Sequence, residues 1–221
     1  MELPPGNYNL KLVPLIINFK EKKVVIFGGG DVGERKAKLF SKYAPTIVIS
    51  KDFTENLLNL ANEIPNLKLK TIDISMDSKI ENIIADSFLV IPATNNLELN
   101  EHIAKIAQSK NKLVNRVDDI GDVVVPSLIK RGDIVISIST LGLSPALSKY
   151  IRKKIENIIT EDYANMSKLQ NEIRELLKRR IEDQRKRKEI LWNILKDENI
   201  WNSLKEDYEK AYKYALRYIK E

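Results

Sequence analysis

A short apolar run followed by closely spaced glycines constrains the fold of this chain more than any other feature. Residues 22–40 read KKVVIFGGGDVGERKAKLF, in which the apolar residues 24–27 precede Gly28, Gly30 and Gly33. A Gly-x-Gly-x-x-Gly spacing between a strand and a helix is the dinucleotide-binding fingerprint. The first glycine permits a tight turn, the second lets the backbone approach a pyrophosphate, and the third lets the helix pack against the strand. The pattern therefore predicts a βαβ unit whose helix N-terminus binds a pyrophosphate.

Strand and helix patterns alternate through the first part of the chain. Apolar and β-branched runs predict strands at residues 23–27, 46–50, 67–72, 87–94 and 112–117. Apolar residues at helical spacing predict helices at residues 31–43, 54–63 and 97–110. This alternation is typical of an α/β fold with a doubly wound, mostly parallel sheet. We therefore assign a Rossmann-like dinucleotide-binding domain to residues 1–120.

The alternation ends after residue 120. Strand-like runs at residues 122–126 and 133–140, with the turn sequence RGD at 131–133, predict a small antiparallel β element within residues 121–145. So few strands leave unpaired edges, which pairing across a two-fold axis would satisfy. We therefore expect residues 121–145 to be a dimerisation and active-site segment.

The remaining residues, 146–221, are predicted to form a helical C-terminal domain. Ser144 is a suitable N-cap, and Pro145 suits the first helical position. Beyond Pro145 the chain contains neither glycine nor proline, and apolar residues recur every three or four positions. This pattern predicts three or four helices.

The composition excludes several classes of protein. The 221 residues include no cysteine, which excludes disulfides, thiolate metal sites and a cysteine nucleophile. No apolar run approaches the ~18 residues of a membrane helix, and the N-terminus lacks the pattern of a secretion signal, so we expect a cytoplasmic protein without a membrane partner. The net charge of +6 suits nucleic acid or a polyanionic small molecule. Residues 178–189, the most charged run, contain interspersed acids and no aromatic residue, so we expect no nucleic-acid partner.

Polar residues follow the second and fourth predicted strands, where a doubly wound sheet binds its ligand. The second strand ends in Ser50, Lys51 and Asp52. Ser50 can bond a ribose hydroxyl, Lys51 can attract the 2′-phosphate of NADP, and Asp52 lies further round the turn, so these residues leave NAD and NADP open. Thr94 and Asn95 follow the fourth strand. They are candidates for contacts near the nicotinamide ribose, and an ordinary polar turn fits them equally well.

Five segments in order resemble one known family. The segments are PLIINFKEKKVVIFGGGDVGERKAKLF, ATNNLELNEHIAKIA, LVNRVDD, VVVPSLIKRGDIVISIST and GLSPALSKYIRKKIE, between about Pro14 and Ile158. Together they closely resemble the precorrin-2 dehydrogenases of sirohaem synthesis, some of which also chelate iron. The resemblance implies a Rossmann domain, a dimerisation segment, a helical domain and a homodimer. It also implies that NAD+ takes a hydride as precorrin-2 becomes sirohydrochlorin.

The resemblance implies catalytic and substrate-binding roles for single residues. The family's important aspartate is the first acid of the motif that reads NRVD here, which makes Asp118 the candidate catalytic residue and Asp119 a weaker candidate. The candidate substrate contacts in the matching motifs are Asn115, Arg116, Thr140 and Ser144.

The family's dinucleotide contacts fall at Asp31, Val32 and residues 50–52 of this chain. One departure concerns the loop after the late strand, where the family often has two consecutive glycines. This chain has Leu141 followed by Gly142 there. The loop therefore lacks one of the glycines that a close backbone approach would use.

Two alternative functions fit the same residues. A bifunctional enzyme would also insert iron into sirohydrochlorin, with Asp118 as the proton acceptor and the substrate's nitrogens holding the metal. A non-enzymatic NAD-sensing module would use dinucleotide binding to change the conformation of a partner. With one histidine and no cysteine in the chain, we expect no preformed metal site. The five motifs in order favour the dehydrogenase.

Overall fold

The computed structural model of the chain describes residues 11–75 and 79–220. These residues form two compact units. The first contains the described residues up to Val125 together with Leu141–Leu143. The second contains Pro126–Thr140 and the described residues from Ser144 onward. Each unit has a hydrophobic core of its own.

The first unit is a parallel sheet flanked by helices. Its strand order is β3-β2-β1-β4-β5, and every neighbouring pair is parallel. The strands are β1 (Lys23–Phe27), β2 (Thr46–Ser50), β3 (Leu67–Thr71), β4 (Ser87–Pro92) and β5 (Leu113–Val114). The helices are α1 (Asp31–Phe40), α2 (Glu55–Glu63), α3 (Ile80–Ile84) and α4 (Leu97–Ser109). This arrangement confirms the predicted Rossmann-like α/β fold.

The apolar run of β1 is continuous because the strand is buried on both faces. Val24 and Ile26 pack on one face of the sheet with Ala37 of α1. Val25 and Phe27 pack on the other face with the apolar side of α4. Helices on both faces therefore enclose the strand that leads into the glycine turn.

Some elements of this unit differ from the prediction in length. The strand β5 ends at Val114 rather than at residue 117, and the chain then enters a loop in which the Asn115 side chain donates to the Val123 carbonyl. Helix α1 ends at Phe40 rather than at residue 43. The sequence pattern did not predict α3, since five residues are too few to display helical periodicity.

The predicted strand at residues 122–126 is wrong, because no strand is found in this described segment. Val123 and Val125 pack instead against the core on the α1 side of the sheet. The Val123 N–H donates to the Val114 carbonyl at 3.1 Å. The β-branched run therefore covers a face of the sheet in the first unit.

The second unit begins with an antiparallel hairpin of β6 (Ser127–Arg131) and β7 (Ile134–Ile138). The turn lies at the predicted RGD sequence, where Gly132 has a φ of +54° that favours glycine. Ile129 on one face of the hairpin is buried, whereas Leu128 and Val135 on the other face are exposed.

Five helices follow Ser144 in the described residues, rather than the three or four predicted. They are α5 (Pro145–Ile158), α6 (Glu161–Arg180), α7 (Gln184–Lys196), α8 (Glu198–Glu206) and α9 (Tyr208–Lys220). Near the starts of α7, α8 and α9, the side chains of Asp183, Asp197 and Asp207 accept a backbone N–H from two residues later, at 2.8–2.9 Å. Aspartates thus separate helices in a segment without glycine or proline. None of the helices in the described part of the chain is long and apolar enough to span a membrane.

Candidate active site

A cleft of about 410 Å³ lies at the carboxyl ends of the parallel strands of the first unit. Its lining residues are Gly28, Gly29, Gly30, Ile49, Ser50, Lys51, Asp52, Ile72, Asp73, Ile74, Ala93, Thr94, Asn95 and Leu99. They come from the glycine turn, the ends of β2 and β4, the segment after β3 and the start of α4. In the sheet, β2 and β3 lie on one side of β1, and β4 and β5 lie on the other, so the strand order reverses at β1. Doubly wound sheets bind ligands at such a point.

The three fingerprint glycines occupy different environments. A Cβ on Gly28 would collide with the Ala93 carbonyl, and one on Gly33 would collide with the Gly28 carbonyl. Gly28 also has a φ of +116°, which L side chains rarely adopt. By contrast, nothing lies within 4 Å of the Cβ position of Gly30. Packing of the turn therefore requires Gly28 and Gly33, whereas Gly30 faces open space.

Gly30 is also the N-cap of α1, and it gives the helix no side-chain cap. Its carbonyl accepts the Glu34 N–H at 2.9 Å. A helix N-terminus carries N–H groups without intrahelical partners and a partial positive charge. The open space at Gly30 beside this helix start fits the pyrophosphate of a dinucleotide.

Three of the residues predicted to bind the cofactor do not line the cleft. The side chain of Asp31 lies in the exposed first turn of α1, Val32 packs against the core, and Gly33 is buried. Asp31 and Val32 are nevertheless the first residues of α1, so a contact with a pyrophosphate there would use their backbone N–H groups.

Polar groups meet at the ends of β2 and β3. Ser50, Lys51 and Asp52 all line the cleft beyond β2, and Asp73 lines it beyond β3. Lys51 Nζ lies 3.6 Å from Asp73 Oδ2 in an exposed ion pair. Asp73 was not predicted from the sequence, although β3 is the direct neighbour of β2 in the sheet. The ammonium group of Lys51 and the carboxylates of Asp52 and Asp73 therefore line the part of the cleft where the adenosine ribose of either NAD or NADP is expected.

The end of β4 contributes Thr94 and Asn95. The Oδ1 atom of the buried Asn100 accepts from the Thr94 backbone N–H at 3.0 Å and from the Thr94 hydroxyl at 2.7 Å. Asn95 is exposed on the cleft wall. Helix α4 therefore fixes Thr94 and leaves the Asn95 side chain accessible.

The segment after β5 carries the predicted catalytic residue. Residues 115–123, named here the Asp118 loop, leave β5 at Asn115 and return beside it at Val123. The return is held by the Asp122 carboxylate, which accepts the Val114 N–H at 3.1 Å. A Cβ on Gly121 would lie 2.5 Å from the Val114 carbonyl, so the close return requires glycine there.

Arg116 connects the Asp118 loop to α4. Its Nη1 atom lies 2.6 Å from Glu101 Oε2, and its Nε atom lies 3.4 Å from Asp118 Oδ1. The hydrogen bond between Arg116 and Glu101 lowers the pKa of the Glu101 carboxyl and raises the pKa of the Arg116 guanidinium. The structure thus places Arg116 and Asp118 together.

Asn115 is buried, and both ends of its side-chain amide bond to protein groups. Its Oδ1 accepts from Lys36 Nζ at 2.6 Å, and its Nδ2 donates to the Val123 carbonyl at 2.7 Å. Burial, and secondarily the nearby Arg35 charge, lowers the pKa of Lys36. Lys36 was not predicted from the sequence, because nothing in the helical pattern of α1 indicates a partner 79 residues away.

Thr140 and Ser144 form a separate hydroxyl cluster at the start of α5. The Ser144 N–H donates to Thr140 Oγ1 at 3.0 Å, and Ser148 Oγ lies 3.1 Å from the same oxygen. Ser144 is the N-cap of α5, as predicted. In the preceding loop, Leu141 has a φ of +51°, a conformation that suits the glycine this chain lacks there.

The parallel sheet, the glycine turn and the open helix start define a Rossmann-type dinucleotide-binding protein. Residues 15–127 match a family model described as "Putative NAD(P)-binding". The match spans more than half of the chain. The first unit is therefore an NAD(P)-binding domain.

Comparison with known proteins identifies the family. The chain is 50% identical over 209 residues to a precorrin-2 dehydrogenase of Methanosarcina barkeri, covering 94% of this chain and 93% of that protein. It is 33% identical over 155 residues to a precorrin-2 dehydrogenase of Bacillus subtilis, covering 69% and 91% of the two chains. The solved structure of SirC, a precorrin-2 dehydrogenase, has the same fold, with a TM-score of 0.74 at 23% identity over 95% of this chain and 100% of that one. The chain belongs to the precorrin-2 dehydrogenase family, which confirms the resemblance.

Proposed function

We propose that this chain oxidises precorrin-2 to sirohydrochlorin with NAD+. Precorrin-2 gives up one hydride to NAD+ and one proton, so the products are sirohydrochlorin, NADH and H+. The observation that carries the proposal is the cleft open at Gly30 in a chain that belongs to this family.

Bound NAD+ supplies the hydride acceptor, and the protein supplies position and charge. The backbone at Gly30 and the N-terminus of α1 hold the pyrophosphate. Ser50, Lys51 and Asp52 bind the adenosine ribose, and Thr94 and Asn95 bind at the nicotinamide end. We propose that NAD is preferred over NADP, because Asp73 neutralises the Lys51 charge that would attract a 2′-phosphate.

Asp118 accepts the proton or orients the substrate through a pyrrole N–H. Arg116 holds the Asp118 carboxylate from one side and is itself anchored by Glu101. Thr140 and Ser144 are proposed to bind substrate carboxylates through their hydroxyl or backbone groups. Leu141 and Gly142 are exposed and have positive φ angles, and an exposed loop of this kind supports a binding role there.

We also propose a cytoplasmic homodimer whose interface includes the hairpin face on which Leu128 and Val135 are exposed, named here the outer face of the β6–β7 hairpin. A two-stranded hairpin is marginally stable alone, and its strand edges favour pairing with another chain. The exposed Leu128 and Val135 add apolar surface to that face. A second copy of the chain would cover it.

The Asp118→Asn variant tests the catalytic assignment. The substitution keeps the size of the side chain but removes its charge, so turnover of precorrin-2 should fall by about 10²–10⁴-fold while NAD affinity is retained. Asp119→Asn is the comparison variant, since Asp119 is the weaker candidate and its Oδ1 accepts the neighbouring Ile120 N–H at 2.7 Å within the same loop. Anaerobic assays with both variants distinguish the two carboxylates. Near-normal turnover in Asp118→Asn would show that Asp118 has a structural role only.

Adding ferrous ion to the same reaction tests the bifunctional alternative. Among the described residues, no group of three or more His, Cys, Asp or Glu side chains could hold a metal ion. In the bifunctional alternative, the tetrapyrrole nitrogens hold the metal substrate and Asp118 accepts the protons that metal insertion releases. NAD binding without any turnover would instead favour the NAD-sensing alternative.

A further inference from the structure

Lys36 is a lysine of α1 that the proposed reaction does not use. It lies on the side of the helix that faces the end of β5, and its Nζ donates to Asn115 Oδ1 at 2.6 Å. Burial lowers its pKa. A lysine is seldom withdrawn from water unless its ammonium group has a specific partner.

Asn115 links Lys36 to Val123, the residue at which the Asp118 loop returns to β5. Because Oδ1 accepts from Lys36, the amide is oriented with Nδ2 toward the Val123 carbonyl, which it reaches at 2.7 Å. The Asn115 backbone N–H is bonded to the Val90 carbonyl of β4 at 3.0 Å. Lys36, Asn115 and Val123 therefore form a chain of hydrogen bonds from α1 to both ends of the loop.

This loop, which the Val123–Val114 and Asp122–Val114 hydrogen bonds also close, carries the Arg116–Asp118 pair. The two ends of the loop are bonded to each other, while the Arg116 side chain is anchored to Glu101 at 2.6 Å. The position of the Asp118 carboxylate thus depends on the loop ends as well as on Arg116.

We propose that Lys36 is a positioning residue that holds the Asp118 loop in its catalytic conformation through Asn115. The proposal rests on the proposed oxidation of precorrin-2 for its catalytic part. The contact itself is a property of the first unit, and it can be measured without substrate.

The variant Lys36→Met tests the proposal, because methionine keeps an unbranched apolar stem and removes the ammonium group. Lys38→Met, which changes an exposed lysine of the same helix, is the matched control. Hydrogen exchange of the Val123 amide reports loop closure directly. Because hydrogen bonds to charged groups are stronger than those between neutral groups, we expect this exchange to accelerate by about tenfold or more in Lys36→Met and to stay unchanged in Lys38→Met.

Kinetics in the background of Asp118→Asn separates positioning from a general loss of structure. Lys36→Met should retain NAD affinity and lower kcat for precorrin-2, yet add little further loss to Asp118→Asn, because both changes act through one carboxylate. Independent, multiplicative losses would overturn the proposal, as would unchanged Val123 exchange.

If Lys36→Met does not fold, Asn115→Ala breaks the same chain of hydrogen bonds and must give the same exchange result. Failure of the wild type to oxidise precorrin-2 would refute the proposed function, while the exchange measurement would still decide whether Lys36 holds the loop.

Discussion

At the scale of single residues, the three glycines of the turn differ in what the surrounding structure requires of them. Gly28 and Gly33 are fixed by the backbone groups that surround them, whereas Gly30 has open space at its Cβ position. The close packing at Gly28 and Gly33 and the open space at Gly30 could be predicted from the spacing, because the fingerprint reflects local backbone geometry. The contact between Lys36 and Asn115 could not be predicted, because the two residues are distant in sequence and only the fold brings them together.

The environments of Gly30 and Gly33 predict different effects of substitution at the two positions. Gly30→Val should leave the fold intact and weaken NAD binding, because the side chain would occupy the space expected for the pyrophosphate. Gly33→Ala should instead destabilise the first unit, because its Cβ collides with the Gly28 carbonyl. Thermal unfolding and NAD titration of the two variants check both results. Unchanged NAD affinity in a folded Gly30→Val protein would place the cofactor elsewhere.

At the scale of elements, the strands and helices of the first unit were largely predictable because buried parallel strands give continuous apolar runs. The run at residues 122–126 was misleading for a related reason. Its valines are apolar because they cover the sheet, and a covering segment and a strand share the same composition. The helix count was underestimated because Asp183, Asp197 and Asp207 interrupt the helices without glycine or proline.

The role of these aspartates can be tested at Asp197, the N-cap of α8. Its side chain accepts the Asn199 N–H at 2.8 Å and the Tyr218 hydroxyl at 3.0 Å. Asp197→Ala should lower the free energy of unfolding of the second unit by about 1–2 kcal/mol. The chain's two tryptophans both lie in this unit, so fluorescence during urea unfolding measures it selectively. The control Glu189→Ala removes an exposed carboxylate from α7, and an equal loss in that variant would contradict the capping role.

At the scale of the whole molecule, the proposed dimer has a defined test. Light scattering at micromolar concentration should give twice the mass of the chain. Leu128→Asp should shift the protein toward monomers, because it places a charge on the outer face of the hairpin. Leu58→Asp changes another exposed leucine, in α2 of the first unit, and should not. A wild-type monomer, or equal behaviour of the two variants, would count against this interface.

The most direct test of the account is the stoichiometry of the reaction. The protein is mixed anaerobically with precorrin-2 and NAD+, and NADH and sirohydrochlorin are measured by absorbance in the same sample. We expect one NADH for each sirohydrochlorin formed, with slower conversion when NADP+ replaces NAD+. Formation of sirohydrochlorin without NADH, or no conversion by a protein that binds NAD+, would contradict the claim that this chain is an NAD-dependent dehydrogenase.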